Sequence, residues 1–360
     1  MKLFKCPCCG QLLHFENTRC ENCGRRLGYV PEADVLSALE PIPERQGVWQ
    51  ARAEIGGQYR FCANAEHDVC NWLIPADSSA GFCLACRHNR TVPNLSQPGA
   101  EAAWRRIEAA KHRLFYGLLR LDLPRPAFGE SREPLTFDFL ADAPLPDGPK
   151  VMTGHDDGLI TIALAEADDA ERERRRAAMG EPYRTLLGHF RHEVGHLYWD
   201  VLVRDGGALA ECREVFGDDR QDYGQALNRH YREGPPADWR NSFVSAYATT
   251  HPWEDFAETW AHYLHIVDSL EMARAFGMSV APRIEGADSL AATADVEVYD
   301  VPDIRGLVDR WIPLAFALNS VNRCMGQHDL YPFVLTPVVI EKLGFIHRLV
   351  RRRRPAEGSP

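Results

Sequence analysis

No stretch of this sequence stays apolar for the roughly 18–20 residues that a membrane-crossing helix needs. The longest candidates, near Ile312–Leu318 and Phe333–Ile340, are interrupted by Pro313 and Pro337. The opening Met1-Lys-Leu-Phe-Lys-Cys6 lacks the apolar core of a secretory signal, so a cytoplasmic protein is expected. An excess of positive charge is also missing. With 41 Lys+Arg against 51 Asp+Glu, the formal net charge is -10, which argues against a protein built to coat nucleic acid. Cysteine is scarce after residue 90, where only Cys212 and Cys324 occur among the eleven. In a cytoplasmic chain, cysteines crowded at short spacing are read as metal ligands rather than as a disulfide framework. What is present, 45% hydrophobic and 26% charged residues over 360 positions, suffices for a sizeable core and excludes disorder over most of the length.

The first 95 residues are rich in Cys, Gly, Pro and Asn and show no sustained helical period. Thr91-Val-Pro-Asn-Leu-Ser-Gln-Pro-Gly99 reads as a linker. From Glu101 to Leu121, Trp104, Ile107, Leu114, Leu118 and Leu121 recur at helical spacing. Strand-like segments follow at Leu135–Leu140, Lys150–Thr153 and Gly158–Leu164. Helices are expected over about 169–179, 183–203, 218–232, 253–276, 303–325 and 337–352. The fold class is therefore α+β. A zinc-ribbon region at 1–95 precedes a mainly helical domain with a small sheet at 96–352, and a tail occupies 353–360.

Cys6-Pro-Cys-Cys9-Gly10 and Cys20-Glu-Asn-Cys23-Gly24 form two Cys-x2-Cys-Gly knuckles. Each turn brings two thiolates onto one ion, and the trailing glycine permits a positive φ. Cys6, Cys9, Cys20 and Cys23 are thus expected to hold a closed, structural zinc, with Cys8 a spare thiol beside it. Cys62, Cys70, Cys83 and Cys86 form a second quartet, for which His67 and His88 leave a mixed ligand set open. Residues 1–95 carry ten basic and ten acidic side chains, so a phosphate-binding surface is disfavoured. A structural or protein-contacting role for this region is expected instead, with no nucleic acid and no membrane among its partners.

His192-Glu193-Val-Gly-His196 lies in an apolar helical stretch. Histidines at i and i+4 share a face and can ligate one zinc, while Glu193, about 100° further round, can reach the water. A third ligand is needed. The metzincin pattern would require Gly and His where Trp199 and Leu202 stand, so that class is excluded. A later helix offers His251-Pro-Trp-Glu254-Asp-Phe-Ala-Glu258, in which Glu254 and Glu258 stack at i and i+4. Glu254 is assigned as ligand and Glu258 as the acceptor that orients a ligand histidine, with Asp255 or Glu258 as alternatives for the third ligand. Tyr247, seven residues before Glu254, is a candidate oxyanion donor or simply a packed aromatic. Asp200 has two readings, an orienting partner at the site or an ion pair with Arg204.

The run from Gly158–Leu164 through Tyr183-Arg-Thr-Leu-Leu-Gly-His-Phe-Arg-His-Glu-Val-Gly-His196 to His251-Pro-Trp-Glu-Asp-Phe-Ala-Glu-Thr259 resembles a bacterial family of zinc-binding metallopeptidases with an N-terminal zinc-ribbon domain. Ribbon and peptidase portions match in order over most of the chain. The resemblance implies peptide hydrolysis on a zincin-like fold. Tyr-x6-Glu is also similar to the anthrax lethal factor type of gluzincin, which implies zinc binding by Glu254 and catalytic assistance by Tyr247. The expectation is a zinc peptidase acting on a peptide or protein substrate, with one catalytic and two structural zinc ions. In it Glu193 is general base, and Gly158–Leu164 is a cleft edge to which substrate adds as a strand. The competing expectation is a catalytically silent zinc-binding module whose ribbon recruits a partner.

Overall fold

The computed structural model describes residues 2–126, 134–142, 150–179, 181 and 183–352. The expected tail at 353–360 lies outside them. Two compact units form: residues 1–119 with 125–174, and residues 120–124 with 175–360. The division expected near residue 95 falls inside the first unit.

In that unit the two knuckles fold alike. Gly10 N–H donates to Cys6 O at 2.9 Å and Gly24 N–H to Cys20 O at 2.8 Å. Both glycines have positive φ, +75° and +71°, as the Cys-x2-Cys-Gly pattern requires. The strands β1 (Phe4–Lys5) and β2 (Leu12–Leu13) flank the first knuckle and pair antiparallel. An antiparallel meander follows: β3 (Leu27–Val30), β4 (Val35–Pro41), β5 (Trp49–Ala51), β6 (Gln58–Phe61) and β7 (Leu73–Pro75), in that spatial order. A bridge between Tyr29 and Trp72 brings its outer strands together, so the sheet curls on itself. Val30, Leu39, Ala51 and Leu73 form its core.

A second sheet takes β8 (Asn89–Thr91), three residues beyond Cys86, into a parallel pair with β9 (Thr136–Leu140). The helix α1 (Ala100–Arg120) lies between these strands in sequence and buries Trp104, Ile107, Leu114 and Leu118. The remaining strands are β10 (Gly154–Asp156) and β11 (Leu159–Ala163), and the order is β10-β11-β9-β8. Two expectations are corrected here. Lys150–Thr153 is no strand: Val151 N–H is taken by Asp142 Oδ1 at 2.7 Å, and Thr153 Oγ1 accepts from Ala163 N–H. Nor is Gly158–Leu164 an edge. The strand β11 pairs antiparallel with β10 on one side and parallel with β9 on the other, so both rows of its backbone groups are used. The unit ends in α2 (Asp169–Met179), where a helix was expected.

The second unit is helical. In it α3 (Leu186–Tyr198) begins where Thr185 Oγ1 accepts from Gly188 N–H at 3.0 Å. It passes into a π-helical turn over Trp199–Arg204. An unforeseen α4 (Leu209–Phe216) comes next, and the helix expected over 218–232 is α5 (Tyr223–Glu233). Gly217, with φ +99°, ends the first, and Asp222 caps the second. The long α6 (Pro252–Ala275) is buried around most of its circumference. A short pair, β12 (Ser279–Val280) and β13 (Ala292–Thr293), precedes α7 (Ile304–Cys324) and α8 (Pro337–Arg351). Tyr198 of α3 stacks on Trp260 of α6 with ring centroids 4.7 Å apart. Phe216 of α4 and Phe345 of α8 meet Phe256 of α6.

Candidate metal and active site

Gly195, between the two histidines of the motif, explains how α3 and α6 come close enough to share a site. A Cβ at this position would stand 3.0 Å from Ala257 Cα and 3.3 Å from Trp260 Cβ. The crossing therefore relies on glycine facing alanine. Ala257 lies three residues after Glu254, so this contact sets how near that carboxylate stands to the histidines.

His192 Nε2 is 3.0 Å and His196 Nε2 3.4 Å from Glu254 Oε2. Three donors about 2.05 Å from a tetrahedral zinc would stand about 3.3 Å apart. The observed separations bracket that value, and the three atoms fit the ion. Glu254 Oε2 is buried and accepts no aligned hydrogen bond, as expected of an oxygen aimed at a cation. Oε1 is occupied: Tyr223 Oη donates to it at 2.7 Å.

The neighbours orient these groups. His192 Nδ1 donates to Glu258 Oε1 at 2.7 Å, which fixes the tautomer that leaves Nε2 facing Glu254. Trp253 lies against His196 with centroids 3.7 Å apart. Pro252 occupies the first turn of α6, and His251 caps it. Its Nδ1 accepts from Trp253 N–H at 3.1 Å, so Nε2 carries the proton and donates to Gln221 O at 3.1 Å. Asp255 turns away from this cluster to Lys342 Nζ at 2.6 Å and is no longer a candidate ligand. Asp200 pairs with Arg204 at 2.7 Å.

Electrostatics follow from burial and proximity. Burial opposes charge on Glu254, but His196 and His192 outweigh it and hold the carboxyl well below the ordinary carboxylate range. Glu193, buried beside them, is pushed up by loss of solvent, the direction that suits a proton acceptor near neutrality. Tyr247 is half-buried, its ring 5.9 Å from that of His192. Burial raises the phenols of Tyr223 and Tyr247. Tyr223 was not found from sequence. It carries no motif and stands 31 residues before Glu254, at the first position of a helix.

Both cysteine quartets converge in the first unit. Within each, the four sulfurs lie within 4.8 Å of one another. Cys6 to Cys23 is 3.8 Å, Cys9 to Cys20 3.6 Å and Cys70 to Cys83 3.7 Å. Sulfurs 2.3 Å from one zinc would be about 3.8 Å apart, whereas a disulfide requires about 2.05 Å. All eleven cysteines are free thiols, and Cys8 is exposed beside the first quartet. Neither histidine weighed for the second quartet joins it. His88 Nδ1 bonds Leu135 O at 2.7 Å, and His67 lies against Trp104. A different histidine does approach. His112 Nε2, from α1, is 3.4 Å from Cys70 Sγ.

A family model described as "Putative zinc-binding metallo-peptidase" matches residues 100–349. The chain belongs to this family. A zinc-ribbon domain model matches residues 3–97, so this metallopeptidase relative carries its ribbon ahead of the helical part. Uncharacterized proteins of Mycobacterium bovis and of Mycobacterium tuberculosis strains CDC 1551 and H37Rv are each 42% identical over 359 residues, 99% of this chain and 97% of theirs. No solved structure matches. Among the described residues no helix is long and apolar enough to cross a membrane.

Proposed function

We propose that the protein is a zinc-dependent peptidase of the gluzincin type, with His192, His196 and Glu254 as the ligands of its working metal. The observation that carries this reading is the convergence of two imidazole nitrogens and one carboxylate oxygen, with the buried Glu193 next in sequence to His192. A zinc ion there supplies a Lewis acid and an acidified water. Glu193 accepts the proton of the attacking water and delivers it to the leaving amine nitrogen. Tyr247 donates its hydroxyl proton as a hydrogen bond to the oxygen that becomes negative as the scissile carbonyl turns tetrahedral. Glu258 holds the His192 ring, and Tyr223 holds Glu254 with one oxygen free. The two quartets, Cys6/Cys9/Cys20/Cys23 and Cys62/Cys70/Cys83/Cys86, take one structural zinc each, for three in all. The substrate class is a peptide or protein, and the compartment is the cytoplasm.

The test is Glu193→Gln in the full-length protein, assayed for zinc content and for cleavage of a library of unfolded protein substrates. Unchanged zinc with hydrolysis lowered at least about a hundredfold is expected. Equal hydrolysis by variant and wild type refutes the role. Full metal occupancy with no cleavage by the wild type over long incubation favours the silent binding module instead.

A further inference from the structure

The second cysteine quartet extends beyond the cysteine-rich residues. Beside it α1 presents Glu108 and Lys111, both 0% exposed, and His112, 4% exposed. His112 Nε2 lies 3.4 Å from Cys70 Sγ and 3.7 Å from Cys86 Sγ, within the range of an N–H to sulfur hydrogen bond. Its Nδ1 is 3.7 Å from Glu108 Oε2. Lys111 Nζ is 2.9 Å from Glu108 Oε2 and also bonds Asn89 Oδ1. Asn89 Nδ2 and Trp104 Nε1 donate to Glu108 Oε1 at 2.5 and 3.1 Å. Nothing in peptide hydrolysis calls for this buried group of charges.

The sulfurs call for it. Four thiolates around a divalent cation leave two negative charges, and all four cysteines are buried. Uncompensated buried charge is strongly unfavourable. Backbone amides of Trp72, Cys83 and Cys86 reach Cys70, Cys62 and Cys83 Sγ, each at 3.4 Å. To these α1 adds the His112 imidazole, while its Lys111 ammonium offsets the Glu108 carboxylate, whose Oε2 lies 3.9 Å from Cys86 Sγ.

We propose that α1 completes the second metal centre: His112 donates Nε2–H to the sulfurs of Cys70 and Cys86, and Lys111 neutralises the Glu108 carboxylate buried beside them. A metal held by the quartet then fastens α1 to the cysteine-rich region, and its removal releases the helix. The inference rests on the reading of this quartet as a zinc site. It also explains why the unit boundary does not follow the boundary between the two family models.

The experiment uses the full-length, zinc-loaded protein. Zinc content comes first: Cys83→Ser lowers it by one ion if the quartet is a zinc site. Unchanged content overturns that reading and this proposal with it. Zinc release to a colorimetric chelator is then followed for His112→Leu and His112→Gln. The leucine variant is expected to release one zinc about 10–100 times faster, as loss of a ligand-supporting hydrogen bond typically does. Glutamine, which keeps an N–H donor, is expected to fall between it and wild type. Leucine and glutamine releasing at the same rate reduces His112 to packing and overturns the proposal. Should the leucine variant not fold, hydrogen exchange on the wild type decides. Amides of residues 104–116 are expected to lose protection as this zinc leaves, and protection that survives its departure overturns the proposal.

Discussion

Replacing Glu258 by alanine removes the oxygen that accepts from His192 Nδ1 at 2.7 Å. The imidazole then loses both its fixed tautomer and the negative charge that strengthens its other nitrogen as a donor to metal. Glu258 carries that charge because His192 and Ser245 outweigh the effect of burial, holding its carboxyl below the ordinary value. Partners of this kind typically contribute 10–100-fold in metal affinity, about 1.4–2.8 kcal/mol. Two substitutions divide the range. Glutamine retains an accepting oxygen at similar reach but no charge, so about tenfold is expected. Alanine removes both and is expected near a hundredfold. The assay is competition for zinc against a chelator of known affinity, using protein whose cysteine sites stay loaded throughout. Hydrolysis measured at saturating zinc separates the metal-holding role from any part in chemistry, and it should recover most of its wild-type value in the glutamine variant. An alanine variant binding zinc within about threefold of wild type would refute the orienting role drawn from this contact.

Tyr223→Phe deletes a hydrogen bond to an ionised carboxylate, worth about 1.5 kcal/mol at this partly exposed position, and should weaken zinc about tenfold in the same competition; no change would remove Tyr223 from the site's support. Gly195→Ala places a methyl 3.0 Å from Ala257 Cα and should cost about 1–3 kcal/mol, read as a lowered denaturation midpoint. An unchanged midpoint would mean that the two helices separate freely there. Burial lowers the His262 imidazole to about 4, against about 6.5 in an unfolded chain. The unfolded chain therefore takes up a proton first as pH falls. Its contribution is complete above about 6.5, is lost as pH drops towards about 4, and totals about 3 kcal/mol. Denaturation measured against pH should be flatter for His262→Gln over that window, and parallel profiles would refute the assignment.

The parts of the site that sequence conveyed were those carried by one helix at a time. His192 and His196 share a face because of their spacing, and Glu254 and Glu258 do the same on α6 with Pro252 marking its start. The knuckles were equally plain, since Gly10 and Gly24 announce turns that only a positive φ closes. What escaped notice depended on pairing between distant segments. A glycine-bounded run such as Leu159–Ala163 looks the same whether one or both of its sides are paired, so its place inside the sheet was hidden. Tyr223 and His112 lie on helices with no motif, and each acquires meaning only from the residue opposite. The helix α4 was missed because its eight residues give little more than two turns of periodicity.

One ion pair bears on when the protein becomes competent. Asp255, adjacent to Glu254, is sealed from solvent with Lys342, whose ammonium also holds Ser242 O at 2.6 Å. Lys342 belongs to α8, the last helix described, 87 residues later in the chain. A ribosome therefore delivers the acid long before its counter-ion. Until α8 emerges, the start of α6 carries an acid with no partner to bury against, and the Glu254 turn has no anchor on that side. For the candidate metal site this is a matter of timing. Maturation of the site waits on the synthesis of α8, and a product stopped short of Lys342 is left without a properly seated Glu254.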